Sequence, residues 1–149
     1  MSAQRFLHGD IMAVIDLQIA IQERYEKEQK ISLVYFRLPS RYDYGRVFEN
    51  ILRKTDSFVQ EGEHFIAILY NTDKNGAREL LAGIQDFLNE KPLDLIVSYP
   101  KDGKDARSLL IKLQDEIKDH YGVILESLKI ETYPLFEYYE FWLNLHILA

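Results

Sequence analysis

Three groups of residues carry chemistry by type and spacing. Glu61, Glu63 and His64 stand together around Gly62, two carboxylates and an imidazole within four positions. Carboxylates transfer protons, so Glu61 and Glu63 can serve as an acid–base dyad. Placed between two β-rich runs, the pair reads more simply as a solvated hairpin tip. Arg37, Arg41 and Arg46 surround the end of an apolar run, and guanidinium groups grip phosphate in a planar fork. Asp43 and Glu49 lie among them, so three solvated arginines come first and an anion site second. Arg53 and Asp56, three positions apart, pair a cation with a carboxylate. Their plain account is a helix-end cation favoured by the dipole and a turn-capping acid.

Other chemistry is missing. His8, His64, His120 and His146 are scattered, with no pair at i, i+4, and there is no cysteine. Disulfides and thiolate sites drop out, and nothing local supports a transition-metal site, so no metal ligands and no cofactor are assigned. A Gly-x-Ser-x-Gly elbow, a phosphate loop and a dinucleotide fingerprint are all absent.

The elements that must position these residues follow from hydrophobic periodicity. Gly9 to about Lys30 is a helix with two adjoining stripes, Ile11, Ile15 and Ile19 beside Val14, Leu17, Ile21 and Tyr25, together one wide apolar face. Ile31 to Leu38 is a near-continuous apolar strand closed by Pro39. Tyr42 to Lys54 is helical, and Asp56 to Gln60 and Phe65 to Tyr70 are strands. They form a hairpin across a four-residue Gly-containing connection. Ala77 to Leu88 is a helix, Leu93 to Tyr99 a strand, and Asp105 to His120 a helix ended by Gly122. Hairpins alternating with crossover helices predict an α/β (α+β) fold, a ferredoxin-like βαββαβ sheet with helices on one face.

Composition bounds the rest. The 149 residues suit one domain, and at this size roughly 70% of the unfolded surface is buried. Eighteen Lys and Arg against 24 Asp and Glu give −6, the wrong sign for a broad duplex-binding face. No apolar run reaches the roughly 18 residues of a membrane span, and Met1 to Asp10 lacks a signal peptide's apolar stretch. The expectation is a cytoplasmic chain without nucleic acid or membrane insertion.

The segment from Ile31 to Glu126, about two thirds of the chain, resembles a GGDEF domain, the diguanylate cyclase family. Arg53-Lys-Thr-Asp56 precedes the hairpin, and Glu61-Gly62-Glu63-His64-Phe65 stands where the family has its signature. Phe65-Ile-Ala-Ile-Leu-Tyr70 matches the strand that follows. Asn71-Thr-Asp73 with Gly76-Ala77, and Leu95-Ile-Val-Ser98 with Asp102-Gly-Lys-Asp105, resemble the later elements. The resemblance implies a nucleotide-cyclase-like fold, and for active members two magnesium ions held by acids at the end of the first strand and in the signature.

This sequence departs from that pattern at the acids. No carboxylate lies between Ile31 and Ser40, and the first strand ends Tyr35-Phe36-Arg37-Leu38. Glu63 keeps one acid, but His64 replaces the signature's glutamate and Glu61 its first glycine. Magnesium prefers oxygen donors to imidazole, and phosphoryl transfer depends on placing such charges. Only fourteen residues, Pro39 to Leu52, separate the first strand from Arg53, a shortened nucleotide-holding segment. The chain therefore reads as a non-enzyme, with no catalytic residues. Arg53 and Asp56 match the family's inhibitory Arg-x-x-Asp motif, which clamps cyclic di-GMP, although four residues rather than five precede the signature. Arg53, Asp56, Arg37 and Arg41 are the candidate ligand-binding residues under that alternative.

The tail concentrates aromatics. Six of the chain's 19 lie between Tyr133 and Trp142, and a helix there is apolar nearly all round, which a monomer's surface does not tolerate. Tyr133, Phe136, Tyr139 and Trp142 are the candidate interface residues; packing into the chain's own core is the equal alternative. The expected organisation is an N-terminal helix over 1–30, a degenerate GGDEF-like domain over 31–126 and an aromatic extension over 127–149. The expected role is a signalling or scaffold module acting through protein contacts, as a homodimer or with a protein partner. A cyclic di-GMP or other nucleotide receptor is the alternative, and an active cyclase ranks last.

Overall fold

The computed structural model describes residues 4–5, 11–25, 28–38, 48, 50–88 and 93–129. In chain order the elements are β1 (Gln4–Arg5), α1 (Ile11–Tyr25), β2 (Ile31–Arg37), β3 (Ser57–Glu61), β4 (His64–Tyr70), α2 (Lys74–Leu88), β5 (Leu93–Tyr99) and α3 (Ala106–Tyr121), with a 3₁₀ turn at Glu126–Leu128. The fold is α+β. Its strands lie in the order β1-β3-β4-β2-β5. The four long strands are mutually antiparallel neighbours, and β1 adds to β3 in parallel. Two residues carry no periodicity, so β1 had no signal in the sequence.

The first six residues of β2 are all buried, because it is central in the sheet and both faces are covered. On one face Ile31, Leu33, Tyr35, Val59, Ile66, Ile68 and Val97 meet α1 and α3 through Ile15, Ile19, Leu109, Leu113 and Ile117. On the other, Val34, Phe36, Phe58, Phe65, Ala67 and Leu69 meet Ala77, Leu81 and Ile84 of α2, with Phe48 and Leu52. This corrects the expectation of helices on one face. Each fully buried Leu, Ile or Phe contributes roughly 1.5–3 kcal/mol, and a sheet with two apolar faces requires two covers. Phe48, Asn50 and Ile51 are helical; most of the expected Tyr42–Lys54 helix lies outside the described residues.

Local chemistry sets several boundaries. Asp105 caps α3 by accepting from Ser108 N–H, and Gly122 closes it at φ +68°, both at the ends expected from the sequence. Asp16 of α1 accepts from Ala106 N–H at 3.1 Å, fixing α1 against the start of α3. The hairpin connection is shorter than expected. Glu61 pairs with His64 in the ladder, leaving a two-residue Gly62–Glu63 turn. Gly62 has φ +60°, the positive value that the first position of such a turn demands.

Candidate functional site

The hairpin end of the sheet gathers Arg37, Glu61, Glu63 and His64, and each has a partner far away in sequence. Arg37 closes β2 opposite His64. From there its guanidinium reaches Glu63, with Nε at 3.2 Å and Nη2 at 3.1 Å from Oε2. The acid at the turn is thus joined to a fixed cation at the end of the first strand. Charge-assisted contacts of this geometry neutralise the carboxylate locally.

Glu61 turns the other way. Its two oxygens accept from Glu126 N–H at 3.0 Å and Ser127 N–H at 2.9 Å. The 3₁₀ turn after α3 is capped by this side chain, while Gln114 holds the preceding stretch through Val123 O and Leu125 N–H, each at 2.9 Å. Leu125 and Leu128 enter the core beside these clips. A solvated hairpin tip is therefore the wrong description of Glu61 and Glu63: one caps a turn some 65 residues away, the other meets Arg37.

His64 lies against Tyr35 of β2. The rings stack with centroids 5.9 Å apart, and the phenol oxygen is 2.8 Å from Nδ1. Tyr121 of α3 tilts against Tyr35 at 6.0 Å. Burial pushes the His64 imidazole below its ordinary range and Arg37 adds to this, while Glu61 and Glu63 pull upward. Burial raises the Tyr35 phenol, against a lowering by Arg37. The phenol oxygen and Nδ1 thus share one hydrogen bond, whose donor is set by the tautomer of the imidazole. The sequence placed Tyr35 only as a strand residue; its two-residue spacing from Arg37, which sets both on one face of β2, was the available signal.

Arg53 and Asp56 are brought together, but at the other end of β4. Asp56 Oδ2 accepts from Arg53 N–H and Nε at 2.9 and 3.2 Å, and Oδ1 from Arg53 Nη2 and Tyr70 N–H at 3.2 and 3.0 Å. Arg53 Nη2 also donates to Tyr70 O and to Thr72 Oγ1. The Asp56 side chain is only 4% exposed and that of Arg53 56%. The pair ties the start of β3 to the end of β4, so Arg53 is more than a solvated helix-end cation. Six residue steps along β4 lead from His64 to Tyr70, so Arg53 stands roughly 20 Å from the Arg37 end, and the candidate ligand residues do not form one set. Arg41, Tyr133, Phe136, Tyr139 and Trp142 lie outside the described residues.

On α1 the first of the two expected stripes is buried, and of the second only Val14 packs, half-buried, against the core. Ile11, Ile15 and Ile19 face the core with Gln18 and Gln22. Leu17, Ile21 and Tyr25 face outward, Leu17 at 61% and Tyr25 at 70% exposure. The single wide apolar face expected from sequence is thus half core and half surface.

Among the described residues no group of three or more His, Asp or Glu is placed to hold a metal ion, and no helix is long and apolar enough to cross a membrane. No protein-family model matches the chain, and no curated protein matches it as a relative.

Proposed function

We propose that this chain is a non-catalytic, GGDEF-like module of the cytoplasm, built on a ferredoxin-like sheet and acting in signalling or scaffolding through protein contacts, in the first place with a second copy of itself. The observation that carries the loss of catalysis is the Arg37–Glu63 pair. A guanidinium repels a divalent cation and already neutralises the remaining acid of the signature, so magnesium has no favourable seat between the first strand and the turn. Glu61, where the family has glycine, is committed to Glu126 and Ser127, which favours a structural use of the hairpin. The contact role rests on the outward stripe of α1, where Leu17, Ile21 and Tyr25 stand at helical spacing.

A cyclic di-GMP receptor at Arg53 and Asp56 is the lesser reading. Both Asp56 oxygens already accept from Arg53 and Tyr70, so the carboxylate has no lone pair directed at a guanine edge without breaking the β3–β4 tie. Sedimentation of the intact chain beside Leu17→Glu tests the proposal. The intact chain is expected to sediment as a dimer and the variant as a folded monomer; an intact monomer at tens of micromolar contradicts it.

A further inference from the structure

Among the described residues β5 is the last strand of the sheet on its side, and its outer edge is only partly closed by them. Ser98 N–H donates outward to Asp102 Oδ2 at 2.8 Å, and Asp102 N–H returns to Ser98 O at 2.8 Å. Since Ser98 spends its N–H on Asp102, its ladder position opposite Ser32 is a non-bonded one. Alternation along an antiparallel ladder then turns the backbone groups of Ile96 and Asp94 outward as well. Among the described residues no side chain closes those two positions as Asp102 closes Ser98.

Two clefts run along this edge beneath α2. The larger, about 610 Å³, lies beside Ser98, Tyr99 and Lys101, and its lining includes Lys30. The smaller, about 470 Å³, lies beside Leu95, Ile96 and Leu81. Lys74 and Arg78, one helical turn apart, border both. Four cationic side chains therefore line the groove against Glu28 and Asp73, in a chain whose net charge is −6. The two acids are engaged: Glu28 pairs with Lys30 at 3.6 Å, and Asp73 accepts from Gly76 N–H at 2.9 Å. Lys74 meets Asp102 at 3.4 Å, while exposed Arg78 pairs with no acid among the described residues and donates from Nη1 to the neutral Asn75 Oδ1 at 3.3 Å. The spacing of Lys74 and Arg78 was visible in the sequence, but nothing there placed them beside a strand edge.

We propose that this edge binds an extended acidic segment of another protein, which adds a strand beside Asp94 and Ile96 and sets its carboxylates against Lys74, Arg78 and Lys101. Strand addition supplies backbone hydrogen bonds, and the flanking clefts supply side-chain selection. Charge decides against a second copy in this place. Two β5 edges paired about a two-fold axis bring Lys74 and Arg78 of one chain toward those of the other, and like charges oppose the contact. The inference shares with the proposed function the idea of a contact module but uses a different surface from α1, so either can fail alone.

The test is fluorescence anisotropy of the intact chain with a labelled peptide of alternating valine and glutamate at low salt. Micromolar binding is expected, weakened at least tenfold by Arg78→Glu. It is also expected to be lost when alternate peptide nitrogens are methylated, which removes strand donors but keeps the charge. A valine–lysine peptide should not bind. Absence of binding at millimolar peptide, or binding indifferent to Arg78→Glu or to methylation, overturns the proposal. So does a dimer in sedimentation that Arg78→Glu disrupts, because that places a second copy on this edge.

Discussion

Arg37 and Glu63 meet beside the β3–β4 turn, with Nη2 of one 3.1 Å from Oε2 of the other and both side chains partly exposed, at 44% and 37%. Exposed pairs of this kind contribute about 0.2–1 kcal/mol. Arg37→Gln is expected to lower the unfolding free energy by less than about 1 kcal/mol in urea denaturation. Its main effect is electrostatic: it leaves Glu63 unneutralised without disturbing the ladder. A loss of several kcal/mol would mean that the pair holds the fold rather than the charge balance.

His64 gives the fold a pH dependence whose sign is fixed by burial and by Arg37. Its folded-state value lies below the ordinary value of about 6.5, so the unfolded chain binds the proton more readily. The stabilisation from neutral His64 is fully present above that ordinary value and is lost as pH falls through the lower folded one, below which the loss levels off. Melting curves between neutral and mildly acidic pH should show this fall, and His64→Gln should show a shallower one. Equal slopes for the two proteins would exclude His64 as the source.

Asp56 is a buried carboxylate with four accepted hydrogen bonds. Asp56→Ala strands the N–H groups of Arg53 and Tyr70 and is expected to cost about 2–3 kcal/mol. Arg53→Ala should cost less, about 1 kcal/mol, since the half-exposed guanidinium is replaced by water while the backbone donors keep their acceptor. Urea midpoints of the two variants check the order. A larger cost at Arg53 than at Asp56 would reverse the assignment of which group organises the pair.

Glu61 clips the 3₁₀ turn through two backbone donors. Glu61→Ala is expected to cost about 1–2 kcal/mol, with amide exchange accelerated at Glu126 and Ser127 more than in the strands. Unchanged protection at those two amides would show that Gln114 and the core leucines hold the turn alone.

Much of the fold was legible because its signals are local. Apolar spacing marked α2, the bounds of β5 followed from Leu93 and Tyr99, and Asp105 with Gly122 framed α3. The misread parts depend on partners distant in the chain. Nothing near Glu61 announces Ser127, and nothing near His64 announces Tyr35. The stripe of Leu17, Ile21 and Tyr25 has the same periodicity as that of Ile11, Ile15 and Ile19. Only the placement of α1 beside α3 decides which one the sheet buries. The sequence did show a first strand without carboxylates that ends at Arg37, and the geometry adds that Arg37 is turned onto Glu63.

The central claim is that the turn has no seat for a divalent cation and a nucleotide. Thermal melting of the intact chain with manganese and a non-hydrolysable GTP analogue, both at millimolar concentration, tests it most directly. The account predicts a melting temperature unmoved by the two together. Saturating a real site at about 100 times its dissociation constant would add about 2.7 kcal/mol and raise the midpoint by several degrees; such a rise, abolished by Glu63→Gln, would contradict it.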